Sequence, residues 1–223
     1  MKQERFENLV DGIFAIVMTL LVLEIRIPVL NGAITNEALL FYLKEEANLF
    51  LSYLLSFAVL FTYWRLHHYI ASVLTRNINN YFTNINAVFL LFVALIPFSS
   101  HLLGVYSDLE LAIAIYATNV AMLGITLYMM RRYAWISRQI ANHTMTATEF
   151  RHGTIRIITP VISSLLAIPL SYWNMTAAFI FITFAILFNF SRRSSMLVDY
   201  VLTLLYGESN GSDLYHKANS VDY

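Results

Sequence analysis

Six polar residues sit where an apolar chain can least afford them. Arg5 and Asp11 open a long apolar run, and Trp64, Arg65, His67 and His68 close another. An ionisable group at or inside a lipid-facing segment costs several kcal/mol unless it is paired, so such groups mark candidate sites. At about 100° per residue, Arg5 and Asp11 point about 120° apart on a helix, too far to bond each other squarely. Each therefore calls for a partner on another helix, and Trp64, His67, His68, Asn84 and Asn86 lie at the same depth. Either an interfacial ion cluster or a polar latch that fixes the first helix against its neighbours fits these residues. Catalysis finds little support. His67 and His68 are adjacent, about 100° apart, and form no i,i+4 metal pair. The chain carries no HExxH, GxxxxGK[ST], GxSxG or dinucleotide fingerprint, no TVGYG filter and no ladder of arginines at every third position. With no cysteine there is no disulfide, thiolate or Cys-based metal site. The expectation is a protein that is not an enzyme and holds neither metal nor cofactor.

The elements that position these residues must be membrane helices. Hydrophobic residues make up 58% of the 223-residue chain and charged ones 13%, against about half and about a quarter in soluble domains. The 14 basic and 14 acidic residues cancel, so no global field recruits nucleic acid. Crossing the hydrocarbon core takes about 20 mostly apolar residues. The uncharged stretches predict spans at Phe6–Ile27, Ala47–Trp64, Ile85–Tyr106 and Leu111–Met130. Ile157–Ser191 is also uncharged but would run about 52 Å as one helix, so it is expected to fold into two spans broken within Pro169–Asn174. The fold class is thus an all-α membrane protein of six spans, with a six-span domain over 1–206 and a polar tail, expected to be disordered, over 207–223.

Charge placement sets the orientation. With the N-terminus inside, twelve basic residues fall on the cytoplasmic side (Lys2, Arg5, Arg65, Arg76, Arg131, Arg132, Arg138, Arg151, Arg156, Arg192, Arg193 and Lys217) and two, Arg26 and Lys44, outside. That split follows the positive-inside rule and puts both termini in the cytoplasm. Lys2 and Arg5 before an apolar run could suggest a signal peptide. However, Glu4, Glu7 and Asp11 occupy the would-be basic region and no small-x-small cleavage site follows, so the first span is read as retained. Met196–Leu205 has the alternation of a short helix lying on the inner surface.

The first span is the most informative on a helical wheel. Relative to Ile16, Leu9, Leu20, Leu23 and Ile27 all fall within about 40°, with Gly12 and Thr19 at the edge of the stripe and Asp11 about 140° away. A stripe of this kind faces lipid, packs on another helix, or lines a constriction that gates by dewetting. Periodicity leaves these open.

The run from Arg5 to Leu23, RFENLVDGIFAIVMTLLVL, resembles the first helix of the transmembrane protein 175 (lysosomal potassium channel) family, which carries Arg-x-x-x-Phe-Ser-Asp before an Ala-Ile-x-x-Thr-Leu-Leu run. Tyr63-Trp64-Arg65-Leu66-His67-His68 is similar to its Trp/His motif in the second helix. Asn84-Ile85-Asn86 through Pro97-Phe98-Ser99 is similar to its third. Phe-Ser-Asp reads Leu9-Val10-Asp11 here. The resemblance implies a homotetrameric, potassium-permeable channel of the plasma (inner) membrane whose first helices line a central pore in the lipid bilayer. By position it implies Ile16, Thr19, Leu20 and Leu23 as pore residues, a polar latch drawn from Arg5, Asp11, Trp64, His67 and His68, and potassium as the permeant ion. The rival reading is a secondary transporter, which would be expected to show an acid or a broken helix at mid-membrane. Asp11 and Glu24 lie toward the ends of their span instead.

Overall fold

The computed structural model describes residues 3–25, 35–75, 77–137, 140 and 147–190. It is all helical over that range. Helix α1 (Gln3–Leu23) is followed by a short α2 (Asn36–Glu45), then α3 (Ala47–Tyr69) running into a π turn (Ile70–Leu74). Then come α4 (Asn80–Val105), α5 (Glu110–Ile136), α6 (Ala147–Ser171) and α7 (Met175–Phe190). Five of these, with α3 and its π turn taken as one, are long and apolar enough to cross a membrane. The 16 described residues of α7 extend about 24 Å. The surface helix expected at Met196–Leu205 and the tail from Gly207 lie outside the described residues.

Helix α1 stops at Leu23, directly before Glu24 and short of the predicted Ile27, which lies outside the described residues. The inner ends of α3 and α5, by contrast, run past the predicted spans. A charge ends the hydrocarbon-spanning stretch without ending the helix. Hence α3 continues past Trp64 through Arg65 and both histidines, and α5 continues past Met130 to Ile136. The break expected within Pro169–Asn174 falls at its far end. Pro169 lies inside α6, which stops at Ser171. Proline removes one hydrogen bond but stops nothing by itself so near a terminus. The stop is made by Asn174, whose Oδ1 accepts the Ala177 N–H at 2.9 Å to cap α7, and by the Trp173 and Asn174 N–H groups returning to Leu170 O. The sequence reading also missed α2. Thr35 caps it through Oγ1 to the Ala38 N–H (3.2 Å), and no residue of α2 is buried. Its Leu39, Leu40, Phe41 and Leu43 are exposed, which suits a helix lying at the membrane interface.

In the bundle, α1 packs on α3 and α4, α5 lies between α4 and α6, and α7 closes against α6 and α3. Between lipid-immersed helices the hydrophobic effect supplies little attraction, so close approach and buried hydrogen bonds hold them. Both occur here. Ser100 Oγ donates to Ser52 O (3.1 Å), Ser56 Oγ to Tyr116 Oη (3.1 Å) and Asn119 Nδ2 to Ser99 Oγ (3.0 Å), tying α3, α4 and α5. At the inner end of α5 the buried Arg131 donates from Nη2 to Phe150 O (3.3 Å), and its guanidinium fills the space left by the missing side chain of Gly153 on α6.

At Gly104 α4 lies tight against α3. A Cβ there would lie 2.6 Å from Ser52 Oγ and 2.8 Å from Leu49 Cα, whereas one on Gly12 would meet nothing within 4 Å. Gly104→Val is therefore expected to cost about 1–3 kcal/mol by overpacking, seen as a lower thermal midpoint in detergent. Gly12→Ala should not lower that midpoint. Equal midpoints for Gly104→Val and the parent would refute the α3–α4 contact.

Candidate functional site

Helix α1 has two faces with opposite fates. Phe6, Val10, Phe14, Val17 and Leu21, spaced by three and four, are buried against α3 and α4. Phe6 packs on Phe82 and Phe14 on Phe89, with ring centroids 5.6 and 5.9 Å apart. The opposite face has no cover. Leu9 is 53% exposed, Ile16 60%, Leu20 42% and Leu23 70%. Gly12, Ala15 and Thr19 are exposed with them. The stripe found on the wheel is thus the side of α1 that the bundle leaves open, as apolar faces of the other spanning helices also are, and the four residues implied as pore-lining all lie on it. Thr19 Oγ1 donates back to Ile16 O (2.8 Å) and approaches Ala15 O at 3.0 Å. Its hydrogen is committed to the helix, which leaves the oxygen lone pairs facing outward as acceptors.

Polar contacts hold α1 in this orientation at three heights. In the middle, Trp64 Nε1–H donates to Asp11 Oδ1 at 2.8 Å. At the inner end, Gln3 Nε2 donates to Ala71 O (2.9 Å), a carbonyl of the π turn, and to Glu7 Oε1 (3.0 Å). At the outer end, Glu24 Oε2 lies 3.4 Å from His101 Nδ1 on α4. Alongside Asp11–Trp64 stands a second polar pair, His67 Nε2 and Asn86 Oδ1 at 2.7 Å, buried between α3 and α4. The amide oxygen as acceptor means Nε2–H donates. The imidazole is sandwiched by Phe6 of α1 (5.9 Å) and Phe89 of α4 (5.2 Å), so it touches all three helices.

The structure brings Asp11 to Trp64 and His67 to Asn86, and stacks exposed His68 on the Trp64 indole at 6.1 Å. It leaves Arg5 apart. Arg5 is exposed and forms no hydrogen bond or ion pair among the described residues. Asn84, the other candidate partner, is exposed too. Sequence reasoning missed Gln3 and the Glu24–His101 pair. A glutamine at a helix start and an acid 77 positions from a histidine carry no local signal that they meet. Among the described residues no three His, Asp or Glu side chains gather where they could hold a metal ion.

A bundle of long apolar helices with apolar outer faces, and polar ties fixing the rotation of the first of them, defines a polytopic membrane protein. Comparisons with known proteins agree. The family model described as endosomal/lysosomal potassium channel TMEM175 matches residues 5–97, the segment that holds most of α1, all of α2 and α3 and most of α4. A potassium channel of Chamaesiphon minutus is 34% identical over 116 residues, 51% of this chain and 56% of that protein. A potassium channel of Streptomyces collinus is 31% identical over 102 residues, 46% of this chain and 48% of that protein. The chain thus spans about half the length of these curated relatives. A solved structure of a lysosomal potassium-selective channel TMEM175 homolog from Chamaesiphon minutus aligns with 86% of this chain and 98% of its own, at TM-score 0.71 and 26% identity. Residues 5–97 thus resemble the TMEM175 family in sequence, and the fold carries the likeness through the rest of the bundle.

The Asp11–Trp64 bond can be tested directly. Trp64→Phe keeps an aromatic ring but strands a half-buried carboxylate, and is expected to destabilise by about 1–3 kcal/mol. Adding Asp11→Leu removes the stranded group and should recover part of that loss, giving a non-additive double-mutant cycle in detergent unfolding. Strict additivity would mean that the two side chains do not bond in the folded protein.

Proposed function

We propose that the chain is a potassium-permeable, leak-type channel that works as a homotetramer in a prokaryotic plasma membrane, with α1 of each copy lining the axis. The observation that carries this reading is the uncovered apolar stripe of α1. One helix face encloses no hole, so a pore built on it requires symmetry-related copies. The relatives' names supply the permeant ion, potassium, and with it the reading of a channel instead of an enzyme. α7 would complete six spans, with both termini in the cytoplasm as the basic residues favour.

In this arrangement four Ile16 side chains form the narrowest apolar ring, with Leu20 and Leu23 rings outside it. Such rings offer no ligand to a bare ion, so a cation passes hydrated when the neck widens. The chain has no TVGYG segment. The outward lone pairs of Thr19, beside the neck, are its nearest oxygen ligands and the proposed source of selectivity. Asp11, Trp64, His67 and Asn86 act behind the pore by fixing the rotation of α1.

The parent protein should run in detergent as four chains of 25.6 kDa; an active monomer or dimer would overturn the assembly. Ile16→Asn gives water hydrogen-bond partners at the neck. It should raise resting current by on the order of tenfold if wetting removes about 1.4 kcal/mol from the barrier. Thr19→Val keeps the shape, deletes four hydroxyls, and should lower the potassium-over-sodium permeability ratio with little change in current. If Ile16→Asn leaves current unchanged while a substitution on another helix controls it, the pore does not follow α1.

A further inference from the structure

Arg5 is the one charged side chain of α1 that points along the uncovered stripe. At about 100° per residue it lies about 20° from Ile16, on the line of Leu9 and Leu23 and about 16 Å toward the inner end. The acids of α1 point elsewhere: Glu7 about 180° from Ile16, Asp11 about 140° and Glu4 about 120° away. Glu7 is held by Gln3 and Asp11 by Trp64. Glu4 is exposed on the flank. Arg5 has no partner among the described residues of its own chain. The three contacts that set the rotation of α1 also turn this guanidinium to the open face.

We infer that four Arg5 side chains form a positive collar at the cytoplasmic mouth that makes cation flux directional. This rests on the reading of α1 as the pore helix. Convergent like charges near a low-dielectric wall raise the local potential by an amount comparable with or larger than thermal energy, and so deplete cations there. Entry from the cytoplasm is hindered, while an ion entering from outside crosses the Leu23, Leu20 and Ile16 rings before it reaches the collar. The collar therefore makes the channel pass inward current more readily than outward. It works through charge and distance alone, without chelating the ion. Lysine should replace Arg5 in this role, which it would not do in a fork-shaped, bidentate structural bond.

The test is current through the full-length protein in inside-out patches. In symmetric potassium at 0.1 M the outward-to-inward current ratio at equal and opposite voltages is expected at about one third for the parent. It should rise to about one for Arg5→Gln, exceed one for Arg5→Glu, and stay near the parent value for Arg5→Lys. At 1 M salt, where the screening length falls to about 3 Å, the parent ratio should itself approach one. The salt series needs no variant, so it decides the matter even if substitutions impair folding. A parent ratio of one at 0.1 M, a ratio that ignores salt, or a Lys variant that behaves like Gln would overturn the collar. These outcomes are separable from failure of the channel reading. If Ile16→Asn raises current while Arg5→Gln changes nothing, the pore stands and the collar falls; if neither acts, the pore assignment falls.

Discussion

The hydrogen bond from Trp64 to Asp11 decides which way the first helix faces. Asp11 and Ile16 are five residues apart, about 140° round the helix on the wheel. Holding the carboxylate toward α3 therefore turns Ile16 away from the bundle. Leu9, Leu20 and Leu23 follow, because they share its azimuth. Without such a tie the rotation of α1 would be poorly specified. Apolar side chains cover most of the helix circumference beyond its first two turns, and lipid accepts any of them. Polar contacts at inner, middle and outer heights convert a nearly uniform apolar cylinder into one with a defined inside.

The buried half of α1 adds shape to that polar specification. Phe6 and Phe14 are fully buried among aromatic rings of α4, and Phe6 also stacks on the His67 imidazole. Offset and tilted aromatic contacts contribute about 0.5–1.5 kcal/mol each beyond simple burial, and they survive transfer to lipid because they do not depend on excluding water. His67 has two jobs. Its hydrogen bond to Asn86 ties α3 to α4, and its ring face forms part of the wall that receives α1. A leucine could supply the wall but not the tie.

The membrane class, the span positions and the open stripe were legible in the sequence because each depends on hydropathy repeated over many residues. The location of Trp64 opposite Asp11 was legible only as one pairing among several, since equal depth narrows the choice without fixing azimuth. The remainder lies in contacts that leave no periodic trace. Gln3 reaches the Ala71 carbonyl, which also accepts from Thr75 Oγ1, in the π turn that follows α3, and no residue pattern marked that turn. Glu24 finds His101 through the relative tilt of α1 and α4. The short α2 was hidden because charges at Glu37, Lys44, Glu45 and Glu46 had marked the segment as an outer loop. The α6–α7 break falls inside the expected Pro169–Asn174 window, and within it the capping asparagine sets the boundary, although proline is the more conspicuous breaker.

Leu9-Val10, standing where the family pattern has Phe-Ser, explains how a departure next to the anchoring aspartate is accommodated. The two positions fall on opposite faces. Val10 is buried in the stripe with Phe6 and Phe14, while Leu9 is more than half exposed on the open face. Valine in the serine position removes a hydroxyl from a buried site and leaves no unsatisfied polar atom behind, since a β-branched aliphatic side chain needs no partner. The consequence falls on Asp11. Among the described residues its only hydrogen bond comes from the Trp64 indole, so orientation that a neighbouring hydroxyl could have shared rests on a single donor. Leucine in the aromatic position acts on the other face. It carries the apolar stripe of Ile16 and Leu23 one further step inward, with an aliphatic side chain where the family pattern has an aromatic ring.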